Sequence, residues 1–153
     1  MQHAERIQRR LREVSGVPDT LAVSFDGFEM IRLLARQFRD QVPELFAAFM
    51  TTAGAAVDGR EAVTAASSLP PPGAGIAEPR GSAAAVGLDE VIGVMSVLAT
   101  LLADRLTHAA ALATVPDDRA ACEEAAAAAQ RICELTARRD DGTRLRSWVP
   151  QLM

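Results

Sequence analysis

His3, His108, Cys122 and Cys133 are the side chains best suited to nucleophilic, acid–base or metal chemistry, and their spacing supports none of it. A di-iron carboxylate bundle needs Glu-x-x-His on two helices. The residue three before His108 is Arg105, and His3 has nothing at that offset. Zinc needs a convergent set of Cys and His, and these four are scattered. Cys122 and Cys133 fall on one predicted helix, about 16 Å apart, too far for a disulfide. Both project to roughly the same face and read as small buried hydrophobes. Lysine and tyrosine are absent, which removes two further catalytic groups.

The remaining polar residues read as structural. Arg105 and His108 share a helix in the manner of helical ribonucleases, but only Leu106 and Thr107 separate them, too few for that motif. Asp117, Asp118, Glu123 and Glu124 lie in the first turns of a helix, where carboxylates complement the dipole. Gly73 and Gly75 sit in a proline-rich stretch without the lysine of a phosphate loop. An arginine–carboxylate enzyme would need Arg36, Arg39 or Arg105 to converge on a buried polar pocket. The expectation is a chain without catalytic residues, metal or cofactor.

Two segments look like binding surfaces. Arg6, Arg9 and Arg10 form a positive strip on the first helix, with Arg12 nearby and Glu5 and Glu13 partly compensating. A net charge of −4 and few aromatics make nucleic acid an unfavoured partner. The C-terminal tail, 143–153, carries the single tryptophan, Trp148, with Val149, Leu152 and Met153. Such an apolar segment must dock, either on its own bundle or on a neighbouring subunit, and tryptophan is a frequent interface anchor. A small apolar ligand among Phe28, Phe46, Phe49 and Met95 is the alternative occupant of the fold.

The elements that must position these residues are all helical. Ala4, Ile7, Leu11 and Val14 make one stripe over 2–15, stopped by Gly16 and Pro18. Asp26-Gly27-Phe28-Glu29 reads as an N-cap with an acidic residue three positions on, so a second helix is expected from Asp26. Arg32, Arg36 and Arg39 fall on its solvent side. A third follows Pro43, weakened at Gly54 and Asp58-Gly59. Residues 67–86, with three consecutive prolines, read as a long crossover loop. The fourth helix, Leu88 to Ala113, is apolar on two faces. Val91, Met95, Leu98, Leu102 and Leu106 form one, and Val94, Val97 and Leu101 the other. It must therefore be central in the monomer or covered by a second subunit. Pro116 opens a fifth helix whose seam of Ala121, Ala125, Ala128, Ile132 and Leu135 allows close approach.

The expected fold is a single all-α domain over 1–153, a four- or five-helix bundle with a long Pro/Gly-rich crossover. The charged N-terminus is unlike a secretory signal. The uncharged apolar run 91–103 is shorter than a membrane span. A cytoplasmic location is expected, with no membrane partner. The favoured function is a non-enzymatic interaction or assembly subunit of a bacterial complex, binding a protein partner or its own copies.

Overall fold

Small side chains set the spacing of this bundle. In the computed structural model, which describes residues 1–71 and 87–140, the chain forms α1 (Gln2–Glu13), α2 (Val17–Arg39), a 3-10 turn (Pro43–Leu45), α3 (Phe46–Thr64), α4 (Leu88–Leu112) and α5 (Pro116–Asp140). The fold is all-α. Along α5 the buried seam is largely alanine: Ala121, Ala125, Ala128 and Ala129 are covered by α3 and α4. Alanine also has the highest helix propensity, so one residue type supplies both the helix and its close packing.

α2 begins at Val17, nine residues before the Asp26 start read from the sequence. Gly16, at φ 84°, turns the chain in a conformation that favours glycine. Pro18 lies in the first turn, where its missing N–H leaves no hydrogen bond unmade. The Thr20 hydroxyl donates to the Gly16 carbonyl at 2.7 Å. Gly16 and Pro18 thus end α1 and start α2 together. Asp26 is instead mid-helix, paired with Arg10 at 2.8 Å. α3 also differs from expectation, running unbroken through Gly54 and Gly59.

Side-chain pairs give the helix directions. Glu29 meets Arg60 and Arg39 meets Met50, so α2 and α3 are antiparallel. Ser68, just past α3, meets Asp118, while Phe49 lies by Thr136, so α3 and α5 are antiparallel. Thr100 faces Cys133 and Ala110 shares a groove with Glu123, which makes α4 antiparallel to α5. Around the bundle the order is α2, α3, α5, α4, with α4 closing on α2. α3 and α4 therefore run the same way. The chain between Pro71 and Gly87 joins opposite ends of the bundle, about 28 Å apart for a helix of α3's length. Residues 72–86, most of the predicted crossover, lie outside the described residues.

The α4 stripe of Val91, Met95, Leu98, Leu102 and Leu106 is buried throughout. Each leucine so covered contributes about 1.5–3 kcal/mol. The second face is only partly covered within the same chain. Leu101 is one turn before Arg105, whose guanidinium donates to the Arg12 carbonyl, so this side of α4 meets α1. Val94 and Leu101 are half-buried there, and Val97 stands at the rim. Among the described residues, α4 alone is long and apolar enough to cross a membrane by length and composition. Here it packs against α1, α2 and α5.

Candidate interaction surface

The residues singled out for chemistry are kept apart or made inert. Cys122 is fully buried, and burial first, then the charges of Asp118 and Glu123, push its thiol up to about 11. Burial also raises Cys133, against a contact with the Thr100 hydroxyl at 3.8 Å. A thiol held protonated is a poor nucleophile and a poor metal ligand. His3 and His108 are exposed on different helices. No group of three or more His, Cys, Asp or Glu among the described residues could hold a metal ion. Arg36 is exposed, Arg39 reaches Met50 and Asp40, and Arg105 reaches the Arg12 carbonyl and Asp104. Among the described residues these three arginines share no pocket.

The proposed ligand-binding quartet is also divided. Phe49 and Met95 are buried beside a cavity of about 20 Å³, close to the space of a single water. Phe28 is buried elsewhere, against Gly59, and Phe46 is 46% exposed. Drug-sized ligands occupy cavities of roughly 300–1,000 Å³.

Of the predicted partner-binding residues, Arg6 and Arg9 are exposed on α1, opposite its buried stripe of Ala4, Ile7 and Leu11. Arg10 is drawn to Asp26 on α2 and serves the α1–α2 joint. Trp148, Val149, Leu152 and Met153 lie outside the described residues.

A further surface, missed in the sequence, stands on the turn between α4 and α5. Leu112 is 52% and Val115 38% exposed, with Ala111 and Pro116 exposed beside them. The turn is held from both sides. The Ala113 N–H donates to the Ala109 carbonyl, and the Arg119 guanidinium donates to the Ala113 carbonyl at 2.8 Å. The first turn of α5 is anchored in turn by Asp118. Its buried carboxylate accepts the Ser68 N–H at 2.9 Å and the Ser68 hydroxyl at 2.5 Å. Next to the turn runs an open groove of about 450 Å³ between α4 and α5. Alanines 110, 111 and 126 form its floor, while Arg119 and Glu123 supply charge.

No protein-family model matches this chain, nor does any curated protein or solved structure. The functional reading rests on the surface itself. Large apolar side chains on a turn already held by Arg119 and by the Asp118 anchor form a preorganised patch, and a preorganised surface loses little freedom on docking. The sequence carried one signal for it: Leu112 and Val115 are apolar residues at a helix end and in a turn, where neither falls on a buried stripe.

Proposed function

We propose that this bundle is a non-enzymatic interaction and assembly module that docks a protein, another subunit or its own copy, on the α4–α5 turn. The observation that carries this reading is the exposure of Leu112 and Val115 on a turn held by Arg119 and Asp118. Exposed apolar side chains beside a groove with one charge of each sign suit a protein surface with an apolar centre and polar rim. The exposed Arg6 and Arg9 on α1 offer a second, electrostatic contact for an acidic surface.

Light scattering of the purified chain and capture of binders from its native lysate test this together. The expected result is a defined oligomer or a retained protein, lost in the double variant Leu112→Glu and Val115→Glu. A monomer that retains nothing, or binding untouched by that variant, overturns the proposal.

A further inference from the structure

α3 is apolar on its outer side as well as its inner one. From Leu45 to Val57 the chain carries no charged residue. The inner positions, Phe49, Thr52, Ala53 and Ala56, are buried in the bundle. The outer ones, Phe46, Ala47, Met50, Thr51 and Gly54, face solvent. A helix packed on one side only normally carries charge on the other. Here Phe46 and Met50 stand out from the exposed stripe instead. The Thr51 hydroxyl donates to the Ala47 carbonyl at 2.9 Å, so its polarity is met within the helix. Among the described residues nothing lies within 4 Å of where a Cβ on Gly54 would stand. An open groove of about 420 Å³ runs beside Gly54, between α3 and α5.

Opposite charges flank this stripe. On the α2 side, Glu29 meets Arg60 and Arg39 meets Met50. Glu29, Arg32, Arg36 and Arg39 follow one another at intervals of three and four, so Arg36 lies on the same edge, level with Ala53. On the α5 side, Arg131 meets Asp58 and Thr136 lies by Phe49. Glu134 stands between them and lines the groove with Thr51 and Gly54, so it is level with Ala53 and Gly54 too. Arg36 and Glu134 are both exposed, and neither has an ion-pair partner among the described residues.

We propose that this face of α3 packs against the same face of a second copy, around a two-fold axis that runs along the helix. The charges select both the partner and the axis. A two-fold crossing α3 at Gly54 would set Arg36 against Arg36 and Glu134 against Glu134. A two-fold along α3 brings each Arg36 to the Glu134 of the other copy, so the pair forms twice. Phe46 and Met50 then meet their own counterparts as an apolar centre, with the ion pairs at the rim. Gly54 leaves room for the two helices to approach closely. The face lies away from the α4–α5 turn, so this dimer goes beyond docking at the turn and does not depend on it.

Sedimentation equilibrium of the full-length chain tests the dimer. The unmodified chain is expected to dimerise at micromolar concentration. Met50→Glu, at a surface site, should abolish dimerisation and leave the helical circular dichroism intact. Arg36→Glu and Glu134→Arg should each weaken it roughly ten-fold, because two exposed pairs are reversed at once. Combining the two substitutions restores opposite charges at each pair and should recover most of the loss. The Leu112→Glu and Val115→Glu variant should keep the α3 dimer whatever it does to docking at the turn. A monomeric unmodified chain overturns the proposal. So does a dimer that survives Met50→Glu, and so do charge reversals that do not recover when combined. A dimer lost only with Leu112 and Val115 would also overturn it, by placing the contact on the turn.

Discussion

The ring of Phe28 occupies the place of the side chain that Gly59 lacks. Its Cε1 and Cζ lie closer to the position of a Cβ on Gly59 than real Cβ atoms come to any neighbour. Phe28 is fully buried and has nowhere to retreat in a close-packed interior. The separation of α2 and α3 is thus set by one glycine, within a helix that the residue type alone would weaken. On the α4 side, Gly27 plays a milder version of this part. A Cβ there would meet the Leu102 methyls at 3.0 and 3.3 Å.

Gly59→Ala should therefore destabilise the fold although alanine is the better helix former. Overpacking a core costs about 1–3 kcal/mol, against a propensity gain of about 1 kcal/mol. Gly54→Ala, on the same helix with open space around it, should stabilise by about 0.5–1 kcal/mol. Urea unfolding measures both. Replacing Phe28 by Leu in the Gly59→Ala background should recover part of the loss, seen as a coupling in a double-mutant cycle. Equal responses at the two glycines would show that the ring is not the cause.

Glu29 links α2 to α3 and gives the bundle an acid-sensitive joint. It accepts from Arg32 at 2.5 Å and from Arg60 at 2.6 Å. The Arg32 hydrogen bond first, opposed by partial burial and supported by Arg60, holds its carboxyl below the usual glutamate range. A carboxyl with a depressed folded pKa stabilises fully above its unfolded pKa, near 4.5, and the contribution is lost as pH falls through the lower folded value. Stability followed from neutral pH down to about pH 3 should fall less steeply in Glu29→Gln than in the parent. Parallel curves would remove Glu29 from the acid transition.

Helices with their own start and stop chemistry were legible in the sequence. Pro116-Asp117-Asp118 opens α5 where expected, and the apolar stripe of α4 is the buried one. The start of α2 was not, because Asp26-Gly27-Phe28-Glu29 imitates a capping sequence while Gly16 and Pro18, a true stop for α1, also start the next helix. The true roles of Asp26 and Gly27 are tertiary, opposite Arg10 and Leu102. A residue pattern along one helix holds no record of those neighbours. The exposed apolar turn between α4 and α5 was hidden for a related reason. Whether Leu112 and Val115 are covered depends on how α5 folds back, and that is held by Ser68, fifty positions from Asp118.

That long-range anchor should be costly to remove. In Asp118→Ala the Ser68 N–H loses its acceptor in a partly buried place, a loss of about 1–3 kcal/mol. Asp118→Asn keeps the size of the side chain and one acceptor oxygen, and should cost less. Thermal unfolding of the two variants gives the order. Hydrogen exchange at 113–118 should speed up in the alanine variant, since the α4–α5 turn then loses one of its two supports. Unchanged exchange there would mean that Arg119 suffices alone.

The thiols offer a local probe of opening at the centre of the bundle. With Cys122 pushed up to about 11, on the order of one molecule in ten thousand carries its thiolate at pH 7, and the sulfur is fully buried as well. Cys133 is half-buried and less protected. A disulfide reagent at neutral pH should thus modify the folded chain slowly and at Cys133 first, with Cys122 reacting only at the rate of unfolding. Urea below the transition should accelerate the Cys133 phase before the Cys122 phase, and Thr100→Val should change the first without touching the second. Mass spectrometry of the partly modified chain assigns each site. Rapid labelling of Cys122 in the folded chain would contradict its burial between α4 and α5.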